Sequence, residues 1–159
     1  MNDKDILKIV DQEVSILCEL LTVECVKESS IEDGNEGEKY IKVVFSGDDL
    51  GYMIGNRGRH LDSLQFMLQV ILGRKLPEDV TFKVFVDVGG YREEKDKKLE
   101  EMAMQKADDV RILGEEVELP AMKPSDRRIV HIALEKFDDI TTESRGEGMD
   151  RHIVIMPLK

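Results

Sequence analysis

Ile6, Ile9, Val10, Leu17, Leu20 and Leu21 recur at helical spacing through residues 5–21 and predict an amphipathic helix at the start of the chain. Val23, Cys25 and Ile31, then Tyr40–Phe45, predict two strands, joined as a hairpin by the polar turn Glu32-Asp33-Gly34-Asn35-Glu36-Gly37. A short amphipathic segment, 48–54, follows with Asp48 as its expected N-cap, and Gly55-Asn56-Arg57-Gly58 interrupts it. Leu61, Leu64, Leu68 and Ile71 predict a second long helix that stops near Gly73. Phe82, Val84, Val86 and Val88 alternate along a strand over 80–88. Gly89-Gly90 is the clearest break. Beyond it, a charged helix over 91–113 carries a narrow stripe of Leu99, Met102, Ala103, Val110 and Leu113, stopped by Gly114. Its charges read as a solvated face, with Glu93–Lys97 and Glu94–Lys98 as favourable pairs. A short strand at 116–119, a helix over 125–137 and strands at 140–143 and 152–156 complete the pattern. The order α-β-β-α-α-β, then α-β-α-β-β, predicts an α+β protein of two small domains, 1–89 and 90–159.

The sequence of 159 residues carries a formal charge of −11. An acidic chain is repelled by nucleic acid overall, so any site for a phosphate must be local, with its cations concentrated. No apolar run is long enough to span a bilayer, and the start lacks the pattern of a secretion signal, so the expected location is the cytoplasm. Cys18 and Cys25 stand at no metal-ligand spacing and are expected to be buried free thiols. No cofactor or metal is expected.

Gly55 and Gly58 bracket two residues between two helical segments. Without Cβ atoms, such a loop turns sharply and lets a sugar-phosphate backbone approach the main chain. A helix starting near Arg59 would point its positive dipole end at that phosphate. Arg57, Arg59 and His60 supply cations or donors, and Asn56 lies between the glycines. Taken alone, Gly-x-x-Gly also describes an ordinary corner between helices. The spacing of Gly51, Gly55 and Gly58 is not that of a dinucleotide fingerprint, and no Gly-Lys-Ser/Thr follows as in a phosphate-binding P-loop.

Arg127 and His131 lie four residues apart, about 40° around a helix of 3.6 residues per turn. They edge the apolar face of Ile129, Val130, Ala133, Leu134 and Phe137, where both could address one phosphate. The plainer reading is an arginine lying over the core and a histidine satisfied inside the fold. Arg128, Arg145 and Arg151 are the cations that neighbouring elements could add. A histidine facing phosphate gains charge on binding, so affinity is expected to rise as pH falls from about 8 to 6.

The element order around Ile54-Gly55-Asn56-Arg57-Gly58 and His60-Leu61-Asp62-Ser63-Leu64-Gln65 resembles a bacterial type II KH domain, although Asn56 stands where a lysine is frequent. Glu118-Leu119-Pro120-Ala121-Met122-Lys123-Pro124 through His131, with Thr142-Glu143-Ser144-Arg145-Gly146-Glu147-Gly148, resembles the R-x-x-x-H ("R-three-H") domain. Gly89-Gly90-Tyr91-Arg92 resembles the join between them, and the combination resembles the Jag (SpoIIIJ-associated) family along nearly the whole chain. The resemblance implies binding of single-stranded RNA, with single-stranded DNA as an alternative ligand of the second domain, a role in post-transcriptional regulation, and a small single-KH-domain protein as partner.

Enzymatic readings find little support, because His60, His131 and His152 lack sequence-local triad or metal partners. The competing reading is an acidic interaction scaffold on a KH fold, with weak or no RNA binding. The two differ in surface charge: a binder gathers cations at Gly55–His60 and Arg127–His131, whereas a scaffold is acidic there.

Overall fold

Asn2 begins the first helix by accepting the Asp5 amide on its side-chain oxygen at 2.9 Å, and α1 then runs Asp3–Leu20. Its buried stripe is Ile6, Val10, Val14, Leu17 and Cys18. Leu20, expected on that stripe, lies off it and is 77% exposed. The helix closes through a Schellman turn: Val23 N–H donates to Cys18 O at 2.9 Å and Thr22 N–H to Glu19 O at 3.1 Å. That turn explains why no strand begins at Val23. The chain is still reversing there, and β1 spans Val26–Asp33.

A computed structural model describes residues 1–34 and 37–158 and divides into two units after Tyr91, two residues beyond the expected boundary at Gly89. Asn35 and Glu36 of the expected hairpin turn lie outside the described residues. In the first unit, β1 pairs antiparallel with β2 (Lys39–Ser46), and β2 pairs parallel with β3 (Phe82–Val88). Ile41, Val43, Phe45, Val84, Val86 and Val88 turn to the core, as strand alternation requires. The helix α2 is short, Gly51–Ile54, and Leu50 rather than Asp48 holds its N-cap position, without a side-chain bond. The intervening Asp49 has φ 57°, so the chain turns between Asp48 and the helix.

The long helix α3 spans Arg59–Lys75 and passes through Gly73 instead of stopping there. Burial of Leu72 and Leu76 on either side holds the last turn in place, which outweighs the roughly 1 kcal/mol that glycine costs inside a helix. Ile71 is only half-buried; Leu61, Leu64, Leu68 and Leu72 form the core-facing stripe. On the same helix Gln65 Oε1 accepts Val86 N–H at 3.1 Å and Gln69 Oε1 accepts Val84 N–H at 2.9 Å. These side chains satisfy amides on the edge of β3 that no strand pairs.

In the second unit α4 runs to Leu113 from Tyr91, the last residue of the first unit. Ala103, Ala107 and Val110 are its buried positions, whereas Leu113 is 65% exposed. The expected pairs Glu93–Lys97 and Glu94–Lys98 form at 2.9 and 2.7 Å on its solvated side. The strands β4 (Val117–Glu118), β6 (His152–Pro157) and β5 (Ile140–Arg145) form an antiparallel sheet in that order. Helix α5 starts with Pro124 in its first turn, where a missing N–H costs nothing, and ends at Leu134, three residues short of the expected end. Val130, Leu134, Ile140, Ile153 and Ile155 close the second core. No helix among the described residues is long and apolar enough to cross a membrane.

Thr22 sits at φ 53° in the Schellman turn, a left-handed position that a β-branched residue adopts at a cost. Thr22→Gly should therefore stabilise the first unit, by up to roughly 1 kcal/mol after the entropic cost of glycine. A higher urea midpoint with an unchanged slope is the expected reading.

Candidate nucleic-acid interface

Three constraints shape the loop between α2 and α3. Gly55 has φ 69° and ψ −176°, and a Cβ there would collide with the imidazole of His60. That imidazole lies across the loop because its Nδ1 bonds Tyr52 O at 2.7 Å. His60 is thus a brace for the turn as well as an exposed group. Arg57 follows at φ 54°, left-handed despite its side chain. Gly58 at φ 79° is buried, and a Cβ on it would come within 3.0 Å of the Tyr91 ring. With glycine at the N-cap, no side chain closes the start of α3, so its positive end is left to the loop. Asn56, Arg57, Arg59 and His60 are exposed around it. Arg59 pairs with no carboxylate among the described residues.

The second cluster depends on strand alternation in β5. Ile140, Thr142 and Ser144 face α5, and the two hydroxyls hold two of the expected residues. His131 Nδ1 shares a 2.6 Å hydrogen bond with Thr142 Oγ1, and Arg151 Nε donates to Ser144 Oγ at 2.8 Å. Met122 links the rest: its carbonyl accepts from Arg127 Nη1 at 2.7 Å, while its N–H donates to Arg151 O at 3.1 Å. Arg127, His131 and Arg151 are therefore gathered on one face, with Arg128 exposed on the next position of α5. No carboxylate pairs with Arg127 or Arg128 among the described residues. Burial, and then the Arg127 charge, push the His131 imidazole below its ordinary range.

Arg145 is not part of this group. As an odd-numbered residue of β5 it projects to the other face, where it makes two hydrogen bonds to Glu116 at 3.0 and 3.1 Å and one to Glu143 at 3.0 Å. Its charge is already neutralised by two acids.

Sequence patterns did not reveal the supports. Lys95 Nζ lies 2.8 Å from both oxygens of Asp126, the one buried charged side chain among the described residues. This pair ties α4 to the first turn of α5, immediately before Arg127. Its members are 31 positions apart, so no local periodicity could have found it. Tyr52 O, Tyr91 and Thr142 were hidden for the same reason. Among the described residues, no group of three or more His, Cys, Asp or Glu side chains is placed to hold a metal ion.

A short mixed α+β unit with an Arg-x-x-x-His helix packed on a three-stranded sheet defines the class of the second unit, and the R-three-H domain matches residues 97–157. The chain is 37% identical over 121 residues to the RNA-binding protein KhpB of Clostridium symbiosum. It is 33% identical over 122 residues to that of Bacillus subtilis (strain 168). Both matches take in 76% of this chain, but only 54% and 58% of those relatives, so the chain spans little more than half their length. A third, from Lactiplantibacillus plantarum, is 30% identical over 89% of the chain and 44% of its own length. These likenesses, together with the R-three-H match, are consistent with the Jag family.

The lowered pKa of His131 has a consequence for stability. The unfolded chain, with histidine near 6.5, takes up this proton before the folded chain does. The stabilisation from neutral His131 is complete above about pH 6.5 and is lost as pH falls through the lower folded value. His131→Gln should flatten that part of the dependence of melting temperature on pH between about 7 and 5. An unaltered profile would show that His131 titrates as an exposed group.

Proposed function

We propose that this chain binds single-stranded RNA in the cytoplasm without catalysing a reaction. Residues 1–89 would form a type II KH domain whose Gly55–Gly58 loop holds backbone phosphates. Residues 90–159 would be the R-three-H part with its charged connecting helix, and Arg127, Arg128, His131 and Arg151 its phosphate site. Arg145 is left out because Glu116 and Glu143 already occupy it. The observation that carries the reading is the loop itself. Gly55, Arg57 and Gly58 all have positive φ, the helix behind them opens without a cap, and Arg57 and Arg59 stand exposed beside it. KH modules clamp about four nucleotides on such a loop. The names of the relatives support the ligand class, and with the R-three-H match they do not favour the acidic-scaffold alternative.

Single-stranded DNA as a ligand of the second unit, a regulatory role after transcription, and a small single-KH partner remain parts of the proposal. They rest on the family resemblance. The lowered pKa of His131 also refines the pH dependence of binding. Its phosphate-linked protonation starts from a neutral ring, so the rise in affinity as pH falls extends below about pH 6.5.

The loop can be tested without touching its glycines, since Gly58 packs on Tyr91 and replacing it would disturb the fold. Asn56→Asp with Arg59→Glu places negative charge at two exposed positions. RNA affinity should fall by about tenfold or more, which is about 1.4 kcal/mol, while the melting curve stays in place. Full affinity in the folded double variant would remove the loop from the site.

Salt dependence checks the proposal from another side. With few unpaired cations, the slope of log affinity against log salt should be shallow, about −0.7 per phosphate for roughly 2–5 contacts. A slope steeper than about −5 would require a large basic surface that these residues do not supply.

A further inference from the structure

The Schellman turn at the end of α1 brings together two residues that the proposed RNA sites do not use. Cys18 occupies the third position from the helix end and accepts the Val23 amide on its carbonyl. The reversal at Thr22 then turns the chain back, and Cys25, just before β1, comes within side-chain hydrogen-bonding reach of Cys18. The two side chains open on one surface cavity of about 520 Å³, lined also by Ser15, Glu19, Thr22 and Lys27. Cys18 is 7% exposed, and Cys25 is half-buried. Lys27 Nζ, bonded to Ser15 Oγ at 2.6 Å, brings a positive charge to the rim.

We propose that Cys18 and Cys25 are a peroxide-oxidisable dithiol that closes to an intrachain disulfide.

The environment assigns the two sulfurs different parts. Burial, and then the adjoining Cys25 thiol, push Cys18 above its ordinary pKa, with Lys27 acting weakly in the opposite direction. Cys18 is thus held as the protonated, protected partner, and the more accessible Cys25 meets the oxidant first. The Cys25 thiolate attacks one peroxide oxygen, the O–O bond breaks, and hydroxide leaves, giving a sulfenic acid. The Cys18 sulfur then attacks the Cys25 sulfur and displaces the hydroxyl, which departs with the Cys18 proton as water. Two thiols lose two hydrogens and two electrons, and one peroxide becomes two waters. The cavity admits a molecule the size of hydrogen peroxide, and the turn keeps the resolving thiol in place before the sulfenic acid can react further.

The test uses the full, reduced chain and hydrogen peroxide. Both cysteines lie in one tryptic peptide, Ile9–Lys27, so its mass reports the reaction directly. The expected product is that peptide lighter by two hydrogens, restored by reductant, with the chain monomeric on a non-reducing gel. In Cys18→Ala the resolving sulfur is gone, and dimedone should trap Cys25 as a sulfenic acid that does not accumulate in the unaltered chain. In Cys25→Ala, Cys18 should stay a thiol. Two alkylatable thiols after peroxide treatment, or equal dimedone labelling of Cys25 with and without Cys18, would overturn the proposal. So would a disulfide found only between chains. The mass shift of the unaltered chain decides the matter even where a variant fails to fold.

Discussion

Helix α3 buries Leu61, Leu64, Leu68 and Leu72 in the core of the first unit, and its Gln65 and Gln69 carboxamides accept the amide hydrogens that β3 leaves open. Each leucine buried in full contributes about 1.5–3 kcal/mol, comparable to or more than one strained loop residue costs, and four act together. This attachment is what allows Gly55, Arg57 and Gly58 to sit at positive φ. The start of α3 cannot relax toward α2 without withdrawing Leu61 and Leu64 from the core. His60 adds a local brace through Tyr52 O, and Tyr91 closes the space behind Gly58. The loop is therefore held in shape by burial on one side and glycine on the other.

The acidity of the chain is handled by pairing. Lys39 lies between Asp3 and Asp33, Arg111 between Asp108 and Asp139, and Arg145 between Glu116 and Glu143. Hydrogen bonds from these cations hold the Asp139 and Glu116 carboxyls below their usual range. Such cations are occupied and offer little to a phosphate. Arg59, Arg127 and Arg128 have no carboxylate partner among the described residues, and they stand at the loop and on α5. Proximity of an arginine in sequence to a motif is thus a poor guide to its availability. What decides is which face of the strand it projects from and whether an acid waits there.

This distinction also marks what was legible in advance. The leucine stripe of α3, the alternation of β3 and the break at Gly89-Gly90 carried the element order, because each is a local periodicity or a local conformational demand. Ends were read less well. Gly73 did not stop α3, since burial of Leu72 and Leu76 outweighed a propensity, and Val23 did not start β1, since a Schellman turn intervened without the usual glycine. For the sites, Gly55–Gly58 and Arg127–His131 were visible as spacings. Their supports, Lys95–Asp126, His131–Thr142 and Arg151–Ser144, join residues from different elements and leave no periodic trace. Arg145 stands near the motif in sequence, but the register of β5 turns it to the opposite face, against Glu116 and Glu143.

On the proposed reading, the same pairing bears on how an anion would be held at α5. Burial, and then the neighbouring Arg127 charge, disfavour a proton on the His131 ring, and no acid pairs with Arg127 among the described residues to offset this. The ring is therefore held neutral beside the arginine, and on the proposed reading an incoming phosphate would pair with Arg127 and favour a proton on His131. Charges beyond about 8 Å are screened at physiological ionic strength, so the distant acids weaken this attraction only slightly. They still oppose non-specific adsorption, which sums over many phosphates. On the proposed reading the negative charge of the chain then works in favour of selectivity. It removes the sequence-independent attachment that a basic surface would give, and leaves a few local contacts to determine which strands are held.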